Sequence, residues 1–228
     1  MYLLQNLQPS VSAQANHIFA SIVAFCKLEM LKFNTALNHF ALKYKLIVNA
    51  NANLNFSNNS AFYGGALILI NHSTAHVDTS GVLFHNNRGS FGGAMQFVYS
   101  TMYISSNKSI KLIMNTAQIK GGAIYIEIGI RPSIIVGNYS NSLFFNNSAF
   151  QGGALYTMPS LFMIIFEHQS SIQFINNTAS DVGGAVYSLS SKPCIFMITD
   201  YSAEIPFIGN HAQRGVGHHM YGASVRDS

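Results

Sequence analysis

Charged residues are scarce in this sequence: lysine, arginine, aspartate and glutamate together make up 9% of its 228 residues. An ordinary soluble domain has about 25%. The 12 basic and 8 acidic residues give a net charge of +4, and no run of five basic residues occurs. A nucleic-acid-binding surface needs lysine and arginine clustered on one face, so we expect no nucleic-acid partner. Helical repeats with charged outer faces are also disfavoured.

Cysteines are few as well, and no long hydrophobic run is present. Cys26 and Cys194 lie in distant segments, which predicts two free or separately paired thiols and does not fix the redox compartment. The apolar stretch at residues 18–26 is shorter than the roughly 20 residues that cross a bilayer, so no transmembrane segment is predicted. No lysine or arginine precedes this stretch. We therefore favour a short buried helix, or a start within a longer gene, over a signal peptide.

What the sequence does contain is a repeated glycine motif, Gly-Gly-Ala followed by an apolar residue. It occurs five times, with the first glycines 28, 29, 31 and 31 residues apart. A period near 30 residues is typical of a solenoid whose units stack to share one core. Each pair is predicted to form a tight corner that needs a positive φ, because no phosphate-binding glycine pattern is present. The pairs are Gly64 and Gly65, Gly92 and Gly93, Gly121 and Gly122, Gly152 and Gly153, and Gly183 and Gly184.

A second motif, Phe followed by Asn three residues later, precedes most of the glycine pairs. The phenylalanines are Phe56, Phe84, Phe144, Phe174 and Phe207, and the asparagines are Asn59, Asn87, Asn147, Asn177 and Asn210. Equivalent residues of stacked coils lie about 4.8 Å apart, so we predict an interior column of Phe rings and a ladder of bonded Asn amides. In the third unit Ile113 is assigned to the Phe position and Thr116 to the ladder. Asn115 then comes one place early, which predicts a local irregularity.

The residues after each glycine pair alternate as in a strand. Leu67, Met95, Ile124, Leu155 and Val186 are predicted to face the core. The next position carries Tyr125, Tyr156 and Tyr187, which are predicted to be outermost and to form a candidate binding face. Each unit is interpreted as three short strands joined by turns.

The combination of GGA[ILMV] with an upstream FxxN resembles the repeat of chlamydial polymorphic outer membrane proteins and the β-helix repeats of large extracellular invertebrate proteins. The resemblance covers about residues 50–217 and implies an all-β fold, a right-handed parallel β-helix, and a surface region used in adhesion. We predict five to six coils of 28–32 residues within residues 48–228. The secretion signal and membrane barrel of the chlamydial proteins are not recognised, so the invertebrate type fits better and we expect a fragment of a longer protein.

Residues 1–47 differ in pattern and are predicted to form a separate N-terminal flank, either a short capping helix or a disordered segment. Ile22, Phe25, Leu28 and Leu31 are three residues apart, and Leu37, Phe40, Ala41 and Tyr44 continue the apolar pattern. This spacing places apolar side chains on one side of a helix. Such a helix would cover the open end of the first coil, where a stacked sheet exposes its edge.

Catalytic and metal-binding residues are not predicted. Polysaccharide-cleaving β-helices bring acidic residues together as an acid/base pair or a calcium site. Here only Glu167 and Asp200 fall near one another on adjacent coils, and Lys192 is the one basic residue nearby. The histidines, His72, His76 and His85 in one unit and His218 and His219 near the end, are interpreted as turn and surface residues. Adjacent histidines on a strand face opposite ways, so we expect no metal and no cofactor.

Seven asparagines begin the sequence N-x-[ST] and are candidate glycosylation sites. They are Asn55, Asn58, Asn71, Asn107, Asn138, Asn146 and Asn176. Their number favours an extracellular or cell-surface glycoprotein. We therefore interpret the chain as a non-enzymatic β-solenoid with an adhesive or structural surface, whose partner is an unknown protein or glycan surface. The alternatives are a carbohydrate-active β-helix enzyme, of the lyase or hydrolase type, and a scaffold fragment of a larger receptor-like protein.

Overall fold

A computed structural model describes residues 45–48, 54–78, 81–128, 133–158, 164–189, 196–198, 202–214, 216–221 and 225–227. Within these ranges the regular structure consists of β-strands. Most of the predicted flank, both cysteines and Asp200 lie outside the described residues. The predicted boundary at residue 47 falls inside the first strand, β1.

The strands follow one another in coils. β1 (Lys45–Val48) comes before the first coil, which contains β2 (Leu54–Ser57), β3 (Leu67–Leu69) and β4 (Thr74–Val77). The second coil contains β5 (Val82–His85), β6 (Arg88–Phe91), β7 (Met95–Val98) and β8 (Thr101–Ile104). The third contains β9 (Ile110–Ile113), β10 (Thr116–Lys120), β11 (Ile124–Ile128) and β12 (Ile134–Val136).

The later coils repeat this order. The fourth contains β13 (Asn141–Phe145), β14 (Ser148–Ala149), β15 (Leu155–Thr157) and β16 (Ile164–Phe166). The fifth contains β17 (Ser171–Ile175), β18 (Thr178–Ala179), β19 (Val186–Ser188) and β20 (Phe196–Ile198). The last contains β21 (Phe207–Ile208), β22 (His211–Ala212), β23 (Met220–Tyr221) and β24 (Val225–Asp227).

Equivalent strands of successive coils pair in parallel and form four sheets. In the order of the chain around a coil, sheet 1 runs from β2 to β21, sheet 2 from β6 to β22, sheet 3 from β3 to β23, and sheet 4 from β1 to β24. The predicted all-β fold, a parallel β-helix, is confirmed. Sequence alternation predicted three strands per coil and missed sheet 2, whose short strands lie between the Asn turn and the glycine pair.

The core fills the bore of the solenoid. Phe84, Phe144 and Phe174 are fully buried on sheet 1. The rings of Phe144 and Phe174 stack with centroids 4.7 Å apart, and those of Phe174 and Phe207 with centroids 4.9 Å apart. The predicted column is present, because the coil spacing is also a favourable distance between offset rings. Aliphatic side chains from sheets 3 and 4 complete this core.

The predicted register of the third coil is wrong by one residue. Leu112, not Ile113, pairs with Phe84 and Phe144 and is fully buried. Ile113 pairs instead with His85 and Phe145 on the outer side. The reason is the spacing: nine residues separate Leu112 from the first glycine of its pair, as they do in the fifth coil, whereas the other coils have eight. The extra residue lies in β10, where the register with β6 shifts.

The two glycines of each pair have different roles. The first glycine has φ between +51 and +70°, a region in which only glycine is unstrained. The second approaches the neighbouring coil closely: a Cβ added to Gly93 would clash with the carbonyl oxygen of Gly122. The first position therefore requires glycine because of the backbone conformation at the corner, and the second because the coils stack so closely.

A second corner also requires a positive φ, and the sequence pattern did not predict it. The residue just before the ladder Asn has φ of 58° at Asn58, 53° at Asn86, 52° at Asn146 and 53° at Asn176. Asparagine tolerates this left-handed conformation better than other non-glycine residues. Three of the seven candidate glycosylation sites occupy this corner, so the backbone alone accounts for asparagine there.

We predict that the central Phe column contributes more to stability in its middle than at its end. Phe144→Ala leaves a cavity between two neighbouring coils and should lower the free energy of unfolding by about 3–5 kcal/mol. Phe207→Ala should cost less, because Phe207 is only partly buried near the end of the described column. Urea unfolding of both variants measures the difference, and equal midpoints would contradict the account.

In the described coils, the second corner is occupied by asparagine or glycine except in the third coil. There it is occupied by Met114, which has a φ of 56°. The left-handed conformation costs such a residue roughly 1–2 kcal/mol, so Met114→Asn should raise the free energy of unfolding by about 1 kcal/mol. Asn146→Met is the reverse control and should lower it. Both variants should be made in bacteria, because Met114→Asn creates an N-x-T sequence. A neutral or destabilising Met114→Asn would show that this corner is not strained.

Candidate functional site

The predicted tyrosine face lies on sheet 3. Tyr125, Tyr156 and Tyr187 pair in register, with ring centroids 5.6 Å apart for the first two and 4.8 Å for the last two. They lie on the opposite side of the sheet from the aliphatic residues that fill the bore. However, they are only 5%, 1% and 9% exposed. The expectation that these rings are outermost is wrong, and they offer little area for a ligand to stack on.

Side chains from both ends of the sheet 3 strands cover the tyrosines. Phe91, Met158 and Val182 pack against them, and Lys120 Nζ lies 4.5 Å from the centroid of the Tyr156 ring. Phe91, Lys120 and Val182 all stand just before a glycine pair. A cation over an aromatic face is favourable, so the lysine also closes this layer. These side chains and the tyrosines form a small outer core. The apolar or long residue that precedes each glycine pair is the sequence signal that could have indicated it.

The buried hydroxyls are poor candidates for acid/base chemistry at neutral pH. Burial, with the nearby negative charge of Glu127, raises the pKa of Tyr125 to about 12. Burial also raises the pKa of Tyr156. Glu127 itself accepts a hydrogen bond from Gln96 Nε2 at 2.8 Å. With a raised pKa, the hydroxyls of Tyr125 and Tyr156 remain protonated at neutral pH, where a general base would have to be ionised.

The ladder asparagines form a continuous chain of hydrogen bonds between sheets 1 and 2. Asn147 Oδ1 accepts hydrogen bonds from the backbone N–H and the Nδ2 of Asn115, both at 3.0 Å. Asn147 Nδ2 donates to Asn177 Oδ1 at 3.0 Å and to the carbonyl oxygen of Leu112 at 2.9 Å. All four hydrogen-bonding positions of this buried amide are therefore filled.

The same arrangement runs from Asn59 to Asn210. Asn115 takes part in it, and Thr116 instead pairs on sheet 2 with Arg88 and Ser148. The predicted ladder is present with Asn115 in place of Thr116, and the irregularity of this unit lies in β10, where the register with β6 shifts between Ala117 and Lys120. Each Nδ2 donates to the carbonyl oxygen of the column residue one coil back. Since equivalent residues of successive coils are stacked, this bond requires the same spacing of three positions between the column residue and the Asn within each coil. Asn87, Asn115 and Asn177 are bonded in the same way as Asn147, so these four inner amides leave no polar atom for a ligand.

Besides Glu127, two carboxylates bond to neighbouring coils. Asp78 accepts a hydrogen bond from Ser105 Oγ. Asp181 accepts one from Gln151 Nε2 at 2.9 Å, and its other oxygen lies 3.0 Å from Arg214 Nη1.

Glu167, the described half of the candidate carboxylate pair, is half-buried just after β16. Its predicted partner, Asp200, lies outside the described residues. The approach of Glu167 to Asp200 therefore stays a prediction.

The histidines have described contacts with aromatic rings, the backbone and each other, since the His211 and His218 rings stack with centroids 5.0 Å apart. His72 lies 5.6 Å from the Tyr99 ring, and His76 lies 5.0 Å from that of Tyr103. His218 Nδ1 accepts a hydrogen bond from the Ala212 backbone N–H at 3.1 Å. Within the described part of the chain, no three His, Cys, Asp or Glu side chains are grouped to hold a metal ion.

The candidate glycosylation sites are accessible. Asn138 is half-buried, and the other six are exposed: Asn55, Asn58, Asn71, Asn107, Asn146 and Asn176. Asn55 lies on β2, and the others lie at turns and corners. None of the described segments is a helix of membrane-crossing length and apolarity.

Two stretches of the sequence match a known family of repeats. The model of the Chlamydia polymorphic membrane protein repeat matches residues 141–158 and 171–189. Both stretches begin at a strand of sheet 1 and contain the column Phe, the ladder Asn and the glycine pair of one coil. No curated protein matches the chain, and no solved structure does. The chain is thus a parallel β-solenoid with repeats similar to those of Chlamydia polymorphic membrane proteins.

We predict that the ladder requires the amide and not only its shape. Asn147→Asp is nearly isosteric, but the carboxylate cannot donate to Asn177 or Leu112 and places a buried charge against their oxygens. The free energy of unfolding should fall by more than about 3 kcal/mol. Asn146→Asp, at the exposed corner one residue earlier, is the matched control and should change it by less than about 1 kcal/mol. Equal losses at pH 7 would contradict the structural role of the ladder.

Proposed function

We propose that this chain is a non-enzymatic structural element of an extracellular or cell surface, and that its exposed faces are adhesive. One observation carries the proposal: polar side chains at repeated positions form hydrogen bonds from coil to coil. The similarity of two coils to the Chlamydia polymorphic membrane protein repeat supports a location at a surface.

The polar contacts between coils extend beyond the Asn ladder. Ser90 Oγ donates to Gln118 Oε1 at 3.0 Å, and Ser171 Oγ donates to Asn141 Oδ1 at 2.7 Å. The hydroxyls of Thr116 and Ser148 lie 3.2 Å apart. An enzyme needs convergent side chains whose polar atoms are free to act on a substrate. Here the described polar groups bond mainly to each other, so their role is to hold the stack in register.

The adhesive part of the proposal rests on exposed apolar side chains. Tyr103, Met114, Phe150 and Ile208 are exposed and lie on different coils. Exposed aromatic side chains are frequent anchors in protein interfaces, and aromatic faces also pack on sugar rings. Because these residues are spread along the solenoid, we infer a partner surface that contacts several coils, either a protein or a glycan.

The test is adhesion of beads coated with the purified chain to surfaces of heparin, pectin or collagen. Wild-type beads should adhere to at least one surface. Phe150→Ser should reduce adhesion several-fold, because it removes an exposed ring. The fold should tolerate serine there, since Ser180 occupies the equivalent position of the fifth coil. Gln173→Ser, which shortens a half-buried polar side chain on the outer side of sheet 1 and removes no ring, is the control. Adhesion that is absent on all three surfaces, or unchanged in Phe150→Ser, would contradict the adhesive role.

The enzyme alternative is tested in the same preparation by assaying reducing-end release from pectin. We expect none. Release that is abolished by Glu167→Gln, with the fold retained, would replace the structural proposal with a carbohydrate-active one. The third interpretation, a scaffold within a larger receptor-like protein, is compatible with the proposed surface role.

A further inference from the structure

We propose that His218 is a pH-sensitive cap on the last coil. When its imidazole is neutral it closes the outer edge of β22, the last described strand of sheet 2, and when the imidazole is protonated it releases that edge. His211, which lies on β22, is the second group of this switch.

His218 stands where the inner coils have the second glycine of the pair. The Gly184 N–H donates to the carbonyl oxygen of Gly217, as the Gly153 N–H donates to that of Gly183. Gly217 therefore takes the position of the first glycine, and it also has the positive φ of that position, 62°. The residue that follows it, His218, is the equivalent of Gly184.

A side chain at this position points toward the next coil of a stack. A Cβ added to Gly184 would clash with the backbone of His211 and His218 in the following coil, so an inner coil needs glycine there. Among the described strands, β22 and β23 are the last of sheets 2 and 3. The side chain of His218 therefore occupies the space in which a further coil of the same kind would lie.

The imidazole also replaces a hydrogen bond that a further strand would make. The backbone N–H groups on either side of Ala212 both donate to carbonyl oxygens of the preceding coil. The Ala212 N–H therefore faces the opposite way, toward the open edge. His218 Nδ1 accepts its hydrogen bond at 3.1 Å, and Ala212 is fully buried. The cap thus satisfies a donor that an uncovered edge strand would leave unpaired.

Protonation removes this bond and adds a repulsion. A histidine nitrogen accepts a hydrogen bond only while it carries no proton, so the bond from Ala212 requires Nδ1 of His218 to be unprotonated. The rings of His211 and His218 stack with centroids 5.0 Å apart, and two positive charges at that distance repel each other. Imidazoles change charge between about pH 5 and pH 8. The cap is therefore closed at the upper end of this range and opens toward the lower end.

The other ionisable groups around this edge do not balance two imidazolium charges. Asp181, in the preceding coil, is paired with Arg214 at 3.0 Å and accepts a hydrogen bond from Gln151 at 2.9 Å. His219 is exposed, and its ring lies 6.0 Å from that of Phe207. The described carboxylate nearest in the repeat is therefore already bonded elsewhere, and the remaining histidine would add positive charge.

The experiment measures hydrogen exchange of the Ala212 amide in the full chain, as protection relative to the unstructured rate at each pH. Protection should fall by about tenfold or more between about pH 7.5 and about pH 5. The amide of Ala149, at the equivalent position of β14 in an inner coil, should keep its protection. Unchanged protection of Ala212, or an equal loss at Ala149, would overturn the proposal.

Two variants at residue 218 test the acceptor itself. His218→Asn offers a side-chain oxygen close to the place of Nδ1 but does not titrate, so the pH dependence at Ala212 should disappear. His218→Gly restores the residue of the inner coils and lacks the acceptor, so protection should be low at both pH values. Persistent pH dependence in His218→Asn, or wild-type protection in His218→Gly at neutral pH, would contradict the cap.

His219→Ala is the matched control for a neighbouring histidine. Alanine is the residue of the inner coils at this position, since His219 bonds to Ala185 as Ala185 bonds to Ala154. The pH dependence at Ala212 should remain that of the wild type. Its loss in His219→Ala would assign the effect to the wrong imidazole and overturn the proposal.

Discussion

The hydrogen bond from a ladder Asn to the carbonyl oxygen of the column residue one coil back, present from Asn87 to Asn210, is the interaction on which the rest of the structure depends. This contact bonds a side chain of one coil to the backbone of the preceding coil, and so it fixes the position of one coil relative to the other. For Asn147 this bond reaches Leu112, and the same amide also bonds Asn115 and Asn177. Since a buried amide is costly when any of its positions is unfilled, each coil can add to the stack only in one register.

The two cores follow from that register. Identical positions of successive coils lie directly above one another, so Phe stacks on Phe inside the bore and Tyr on Tyr outside sheet 3. The same close stacking excludes a side chain at the second glycine of each pair, where Gly93 approaches Gly122. Stability is therefore distributed along the coils and depends on contacts between neighbours.

Much of the fold could be predicted from the sequence, because the repeat reports which residues are equivalent. The glycine pair gives the wrong register for the third coil, because an extra residue in β10 lies between Leu112 and Gly121. The position of Asn115, three residues after Leu112, gives the correct one. The burial of the tyrosines could not be predicted from the alternation of residues along the strand. Alternation indicates on which side of the sheet a side chain lies, and not whether other side chains cover that side. No catalytic or metal site was predicted. The candidate carboxylate pair involves Asp200, for which the structure gives no placement.

The central claim is that neighbouring ladder amides are energetically coupled, and a double-mutant cycle measures this directly. Asn115→Ala and Asn147→Ala, made singly and together, should show a coupling of at least about 1 kcal/mol in the free energy of unfolding. Asn87→Ala with Asn177→Ala, which are not neighbours in the ladder, should be additive within about 0.5 kcal/mol. Additivity of the Asn115 and Asn147 pair would contradict the account, because it would mean that the ladder amides stabilise their own coils independently.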